Sequence, residues 1–165
     1  MASLSVCMIV KNATKTIQMS MSTAILLGDE VVVVLDDSTT DNTLELINDL
    51  QGSTPIHIFP YTFKDFGNAR NTCISCATKE WILLLDSDET ITDQGIRDLK
   101  RFLATNPRKI MYGFPRHRWT DSTMTAFVAE EYPDVQWRLL PNNNTVSYTQ
   151  KVHETPIQPS SGNAR

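Results

Sequence analysis

Short apolar runs that alternate with helical patterns constrain the fold of this chain more than any other feature. The runs are long enough for strands and too short for helices. The predicted strands are Val6–Val10, Val31–Leu35, Ile56–Phe59, Trp81–Leu85 and Ile110–Phe114, and the predicted helices are Ile17–Leu27, Leu44–Leu50, Ala69–Ala77 and Ile96–Leu103. This alternation predicts an α/β, Rossmann-like fold with a mostly parallel sheet flanked by helices, because near-continuous apolar strands are typical of strands buried on both faces.

The last third of the chain follows a different pattern. Beyond residue 114, aromatic and charged residues are mixed, which predicts short strands and loops that fold over the crevice of the sheet. The chain has 165 residues, 41% of them hydrophobic, and this is enough for one well-formed core. We therefore expect a single domain over residues 1–157 and a flexible tail over residues 158–165.

Charge and motif content exclude several classes of function. The net charge is −4 and no run of Lys and Arg exceeds two residues, so the sequence lacks the basic footprint of a nucleic-acid-binding protein. No segment resembles a signal peptide or is apolar enough to span a membrane, and we expect a cytoplasmic protein. Neither a phosphate-binding loop nor a dinucleotide fingerprint is present, so bound phosphates would depend on a metal, Arg or Lys.

The stretch "ILLLDSDET" places two carboxylates, Asp86 and Asp88, at the end of a predicted strand. Residues i and i+2 of an extended chain project to the same side, so both acids approach one point. Two such charges repel by about 1 kcal/mol at 4 Å in water and by more at a drier site, so a positive partner is required. A divalent cation such as Mg²⁺ or Mn²⁺ fits this need, while the alternative is that Asp86 caps a helix and Asp88 is solvated.

Other polar residues follow neighbouring predicted strands. Lys11 and Asn12 come after the first strand, and Asp36 and Asp37 come after the second. Ligands of open parallel sheets bind at the carboxyl ends of the strands, so these residues are expected at one edge with Asp86. Asp36 and Asp37 are suited to accept hydrogen bonds from a nucleobase N–H or a ribose hydroxyl, although helix capping is an equal alternative.

Four segments resemble the family 2 glycosyltransferases of the type A glycosyltransferase fold. In chain order they are "SVCMIVKNATKTI", "VVVVLDDSTTDNT", "DFGNARNTCISCATKEWILLLDSDE" and "VQWRLLPNNNTVSYTQKVHETP", and together they span about residues 4–156. The last segment resembles a bacterial branch of the family that modifies lipopolysaccharide cores. The resemblance divides the domain into a nucleotide-sugar-binding half, 1–114, and a part over residues 115–157 that binds the acceptor and closes over the metal.

The resemblance implies a role for individual residues. It implies that Asp37 faces the base N3–H of a uridine nucleotide, that Asp86 meets the ribose and the metal, and that Asp88 binds the metal. His153 is implied as a further metal ligand. The residues implied in nucleotide binding are Val10, Lys11, Asn12, Asp36, Asp37, Asp65, Arg70, Asp86 and Ser87.

The implied reaction is transfer of a hexose from a UDP-sugar, with UDP-glucose as the best guess, to an unidentified carbohydrate, lipid-linked or protein hydroxyl. Mn²⁺ or Mg²⁺ is the implied cofactor, and inversion at the anomeric carbon the implied outcome. The candidates for the general base are Glu130, Glu131, Asp134 and Glu154. The chain ends eleven residues after Glu154, which implies a compact enzyme and is compatible with a homo-oligomer whose partner subunit completes the acceptor site.

Two other classes of function fit parts of the sequence. "LLLDSDET" matches the first motif of haloacid-dehalogenase-type phosphatases, but those enzymes need a later strand that ends in acids, and no apolar run after Thr90 does so. A non-catalytic module that binds a nucleotide-sugar is the second alternative. Such a module would bind the donor without releasing free UDP.

Overall fold

The computed structural model describes residues 2–117, 134–149 and 156–157. Its strands are β1 Leu4–Val10, β2 Glu30–Asp36, β3 Ile56–Tyr61, β4 Trp81–Leu84, β5 Tyr112–Arg116, β6 Asp134–Pro141, β7 Ser147–Tyr148 and β8 Pro156–Ile157. Its helices are α1 Ile17–Leu27, α2 Thr43–Asn48, α3 Phe66–Cys76 and α4 Asp93–Ala104.

Six of these strands form one sheet in the order β3-β2-β1-β4-β6-β5. Strands β1 to β4 are mutually parallel, whereas β6 runs antiparallel to both of its neighbours, β4 and β5. Strands β7 and β8 form a separate two-stranded sheet. The prediction of a mostly parallel sheet is therefore confirmed, and the carboxyl ends of β1, β2 and β4 lie side by side.

Helices cover both faces of the sheet because alternate residues of each strand point to opposite sides. One core packs strand residues against α1, α2 and α4, and its members include Leu4, Val6, Met8, Val10, Ile17, Met21, Ile47, Leu83, Leu99 and Leu103. The second core lies against α3 and includes Cys7, Val32, Val34, Cys73, Ile82, Leu84, Leu140 and Tyr148. Cys7 and Cys73 are thus buried core residues with free thiols.

The structure corrects the prediction for the last third of the chain. Residues 115–157 were expected as short strands and loops over the crevice, but residues 134–141 form a strand inside the main sheet. The sequence "DVQWRLLP" hides this strand because charged and polar residues interrupt its apolar pattern. Strand β5 also begins two residues later than predicted, at Tyr112, and Ile110 is exposed.

A buried carboxylate, Glu30 at the start of β2, ties three segments of the sheet together. It accepts hydrogen bonds from the Ser5 hydroxyl at 2.6 Å and from the backbone N–H and hydroxyl of Thr78 at 2.7 and 2.6 Å. The Lys79 ammonium lies 3.5 Å away. Burial opposes ionisation of Glu30, but these hydrogen bonds outweigh it and lower the pKa of the carboxyl.

We expect Glu30→Ala to lower the free energy of unfolding by about 2–4 kcal/mol, because Ser5 and Thr78 lose a charged acceptor in a buried site. Urea denaturation at neutral pH measures this change. Since the folded-state pKa is lowered, the stabilisation is present above the ordinary glutamate pKa of about 4.3 and is lost as pH falls through the folded-state pKa. The stability gap between wild type and Glu30→Gln should therefore shrink in acid, and a gap independent of pH would contradict this account.

The described part of the chain contains no helix with the length and apolar character needed to cross a membrane.

Candidate active site

A cavity of about 730 Å³, called the main cavity below, lies at the carboxyl ends of β1, β2 and β4. The polar residues that line it are Lys11, Asn12, Thr16, Asp36, Arg70, Asp86, Ser87 and Asp88, and the apolar ones are Ile9, Ala13, Phe63 and Phe66. The two acidic segments predicted from the sequence therefore both contribute to one cavity. Val10 does not line it, because its side chain is buried in the core.

The turn that carries Asp86 and Asp88 is fixed at several points. The backbone N–H of Leu85 donates to the carbonyl of Cys7 in β1 at 3.0 Å. The buried hydroxyl of Ser20 in α1 donates to the carbonyl of Ser87 at 2.9 Å. The turn is therefore held by the neighbouring strand and by a helix, so the backbone that carries the two carboxylates has a defined position.

Two arginines supply the positive charge that the sequence predicted near Asp86. Nη2 of Arg70 lies 3.1 Å from Oδ1 of Asp86, and Nη2 of Arg138 lies 2.8 Å from Oδ2. Burial opposes ionisation of Asp86, but the charges of Arg138 and Arg70 outweigh it and lower the pKa of the carboxyl. Asp86 is consequently ionised at neutral pH with both of its oxygens engaged.

Arg138 belongs to a chain of ion pairs that extends away from the cavity. Its Nη2 also lies 2.6 Å from Oε1 of Glu89, and Glu89 in turn lies 3.5 Å from Arg116. Arg116 pairs with Asp134 at 2.6 Å. Glu89 accepts a further hydrogen bond from the backbone N–H of Asp86 at 3.2 Å. These linked ion pairs together therefore support the position of Asp86.

Sequence reasoning did not single out Arg138, Glu89 or Arg116. Arg138 lies 52 residues after Asp86, and their contact depends on the insertion of β6 beside β4. The available signal was a single arginine directly before two leucines in "QWRLLP". A charged residue in an apolar strand is rarely buried without a partner, so this arginine was a signal for a buried acid that the sequence analysis did not use, and it does not indicate which acid.

Asp88 differs from Asp86 in having no fixed partner. Its side chain is exposed and lines the main cavity. Within residues 2–117, 134–149 and 156–157, no hydrogen bond or ion pair reaches its carboxylate. This part of the chain also contains no cluster of three or more His, Cys, Asp or Glu side chains suited to a metal. A cation at Asp88 would therefore depend on further ligands, such as phosphate oxygens and water.

Asp36 and Asp37 lie in different environments. Asp36 is buried, pairs with the Lys11 ammonium at 3.0 Å and accepts from the backbone N–H of Ser38 at 2.8 Å. The hydrogen bond from the Ser38 hydroxyl, assisted by Lys11, outweighs burial and lowers the pKa of Asp36. Asp37 is exposed and accepts from the Thr62 hydroxyl at 2.6 Å. It lines an adjoining cavity of about 350 Å³ that shares Asp36 with the main one.

Asn12 and Asp65 shape the backbone beside the main cavity. Asn12 has a positive φ of 45°, which an asparagine tolerates, and its side-chain oxygen accepts from the backbone N–H of Thr40 at 2.9 Å. Asp65 caps α3 by accepting from the backbone N–H of Asn68 at 2.7 Å. This cap explains why α3 begins three residues before its predicted start, and Asp65 itself does not line the cavity.

The profile of glycosyl transferase family 2 matches residues 5–152 of the sequence. This chain belongs to that family. The match includes the three strand ends and β6, and so covers every residue described above in the main cavity.

Curated relatives share parts of this family 2 sequence. Chondroitin synthase of Pasteurella multocida (strain Pm70) is 32% identical over 100 residues, which are 59% of this chain and 10% of the relative. The Escherichia coli protein WfaP, a UDP-Glc:alpha-D-GlcNAc-diphosphoundecaprenol beta-1,3-glucosyltransferase, is 26% identical over 106 residues, or 64% of this chain and 41% of WfaP. The chain thus spans less than half the length of either relative.

Solved structures share the type A glycosyltransferase fold. S. aureus TarS (residues 1–349) in complex with UDP-GlcNAc matches with a TM-score of 0.64 and 19% identity, over 90% of this chain and 49% of that TarS fragment. The mannosyltransferase PcManGT of Pyrobaculum calidifontis, in complex with GDP-Man and Mn²⁺, matches with a TM-score of 0.56 and 18% identity, over 67% of this chain and 34% of PcManGT. At these identities the likeness establishes the fold alone.

Of the four residues predicted as candidates for the general base in this family 2 chain, the structure describes Asp134. Glu130, Glu131 and Glu154, together with the predicted metal ligand His153, lie outside the described residues. Asp134 accepts from Gln136 at 2.6 Å and pairs with Arg116, and it lines neither cavity. The hydrogen bond from Gln136 and the charge of Arg116 lower the pKa of Asp134 against the effect of burial. A lowered pKa makes a carboxylate a weaker base.

Proposed function

We propose that this chain is a glycosyltransferase that moves a hexose from a UDP-sugar, with UDP-glucose as the best candidate, to a hydroxyl acceptor. The observation that carries the proposal is the main cavity of a family 2 chain, in which the exposed Asp88 lies beside the arginine-paired Asp86 and the ion pair of Asp36 and Lys11. Cavities at the carboxyl ends of parallel strands are the usual ligand sites of such folds.

The charges of the cavity suit a nucleoside diphosphate. Among the described residues, Lys11 and Arg70 are the two cations that line this cavity, each paired with an acid, and a diphosphate bound there would lie beside them. TarS has been solved with UDP-GlcNAc, which supports a nucleotide-sugar donor for a chain of this fold. PcManGT has been solved with GDP-Man, so our choice of uridine depends on Asp37 and on the relative WfaP, which is a UDP-Glc-dependent glucosyltransferase.

A divalent cation fits the residues of the cavity. Asp88 would hold it directly, because its carboxylate is unpaired among the described residues. Asp86, whose position is set by Arg70 and Arg138, would lie beside the cation as a supporting carboxylate. The Mn²⁺ in the PcManGT structure supports this assignment. When bound, the cation would neutralise charge on the departing diphosphate. His153 stays a proposed further ligand.

The proposed transfer is a single displacement with inversion. The acceptor oxygen forms a bond to the anomeric carbon as the bond from that carbon to the diphosphate oxygen breaks, and UDP leaves. The proton of the acceptor hydroxyl passes to a general base. Glu130, Glu131 and Glu154 are the remaining strong candidates, because Asp134 is held by Arg116 and has a lowered pKa.

The proposal is tested by incubating the protein with UDP-, GDP- and dTDP-sugars with and without Mn²⁺ and measuring the free nucleotide. Release of UDP from a UDP-hexose that depends on Mn²⁺ is the expected result. Preference for a GDP-sugar would overturn the uridine assignment. Tight binding of a UDP-sugar without release of UDP or transfer to any acceptor would favour the alternative of a non-catalytic nucleotide-sugar module.

We expect Asp37→Ala to weaken UDP binding roughly tenfold or more at saturating Mn²⁺, because a hydrogen bond to a charged group is lost. The affinity for Mn²⁺ with pyrophosphate should stay unchanged, since pyrophosphate has no base. Calorimetric titration with both ligands measures the two affinities. Equal losses for UDP and pyrophosphate would show that Asp37 does not serve the base.

A further inference from the structure

Two phenylalanines that the proposed function does not use, Phe63 and Phe66, stand in the main cavity with exposed rings. Phe63 is 39% and Phe66 48% exposed, and both line the cavity together with Arg70 and Asp86. Their ring centroids are 5.1 Å apart with planes at 74°, an edge-to-face pair. Exposed rings within a cavity commonly mark a ligand site, because they leave apolar surface in water until a ligand covers it.

The structure fixes both rings relative to the charged part of the cavity. Phe66 and Arg70 are four residues apart in α3 and therefore lie on the same helix face. Phe63 lies in the segment between β3 and α3, which is joined to the end of β2 at two points. The backbone N–H of Asp37 donates to the carbonyl of Tyr61 at 3.0 Å, and the hydroxyl of Thr62 donates to the Asp37 carboxylate at 2.6 Å. Phe63 is therefore the next residue after Thr62, whose hydroxyl is bonded to Asp37.

We propose that Phe63 and Phe66 form the platform on which the nucleobase of the donor packs. This inference rests on the proposed function and adds the residues that bind the base. The acids and cations of the cavity suit the diphosphate and the sugar hydroxyls, whereas the base is the part of the donor with a planar, weakly polar face. Aromatic side chains stack with every base, so the rings supply affinity while Asp37 supplies the choice of base.

The test compares Phe63→Ala, Phe66→Ala and Phe66→Leu with wild type in titrations with UDP and with pyrophosphate, both at saturating Mn²⁺. The alanine variants should bind UDP roughly five- to a hundredfold more weakly, the range expected for loss of base stacking, and bind pyrophosphate as wild type does. Phe66→Leu keeps apolar volume without a ring face, so it should lose most of the same affinity. Phe59→Ala is the matched control, because Phe59 is 36% exposed on β3 and lines neither cavity.

The outcomes separate this inference from the proposed function. Unchanged UDP affinity in the Phe63 and Phe66 variants would overturn the platform and leave the donor assignment intact. A loss seen with a UDP-hexose but not with UDP would assign the rings to the sugar and also overturn it. A wild-type protein that binds no UDP would overturn both proposals. Thermal unfolding without ligand should change little in the variants, since each alanine variant loses one edge-to-face contact between two partly exposed rings.

Discussion

Asp88→Asn should abolish the Mn²⁺-dependent part of UDP binding and leave the fold intact. Asp88 is exposed in the main cavity and has no partner in the described part of the chain, so its replacement breaks no internal contact. Loss of a supporting contact to a metal ligand typically costs 10- to 100-fold in affinity, and we expect a direct ligand to cost at least about 100-fold. In wild type, Mn²⁺ with UDP at 100 times its Kd should stabilise the fold by about 2.7 kcal/mol.

The measurement is thermal unfolding of wild type and variant with UDP, in Mn²⁺ and in chelator. Asp98→Asn on α4 is the control, because Asp98 is an exposed acid that lines neither cavity. Asp86→Asn should behave differently, since it leaves Arg70 and Arg138 without their shared partner and so lowers stability even without ligand. A shift with UDP that is equal in Mn²⁺ and in chelator for wild type would refute the metal role.

Arg138→Ala should lower the free energy of unfolding by about 2–3 kcal/mol. The Arg138 side chain is only 11% exposed and pairs with both Asp86 and Glu89. Removing one partner of a buried pair costs about 3–5 kcal/mol. We expect less here because Asp86 is partly exposed and retains Arg70, and because Glu89 retains Arg116.

Urea denaturation of Arg138→Ala, Glu89→Gln and the double variant measures the coupling between the two residues. Arg101→Ala is the control, since Arg101 is 75% exposed and pairs with Asp98 on the surface of α4, where a change within about 0.5 kcal/mol is expected. An Arg138 variant as stable as the Arg101 variant would show that the ion-pair chain does not support the turn of Asp86.

The predictable part of the fold is the part with continuous apolar strands. β1, β2 and β4 consist almost entirely of buried residues, so their positions could be predicted from hydrophobicity alone. β6 could not, because its first half alternates between partly buried and exposed residues, and its place between β4 and β5 depends on pairings remote in sequence. Local patterns indicate where a strand lies and do not indicate which strands become its neighbours.

The candidate site also contains some residues that could be predicted from the sequence and others that could not. The carboxylates Asp36, Asp86 and Asp88 were predictable because each lies at or just after the carboxyl end of a strand of the parallel sheet. The need for a positive partner was also predicted, but a metal ion was expected in that role, whereas the structure places Arg70 and Arg138 against Asp86. Phe63, which precedes α3, and Phe66, the first residue of α3, were not predicted in the cavity lining, because single aromatic residues carry no periodic signal that separates packing from binding.

The late position of β6 has a consequence for the order of folding. β1, β2, β3 and β4 pair with one another in parallel, and all four precede residue 85. β6 follows all four of these strands in the chain, so during synthesis it can dock beside β4 only after they have emerged. Until it docks, Asp86 has Arg70 but lacks Arg138. During synthesis the carboxyl ends of the parallel strands would therefore assemble with Asp86 held by one arginine, and the second arginine would reach Asp86 only when β6 docks.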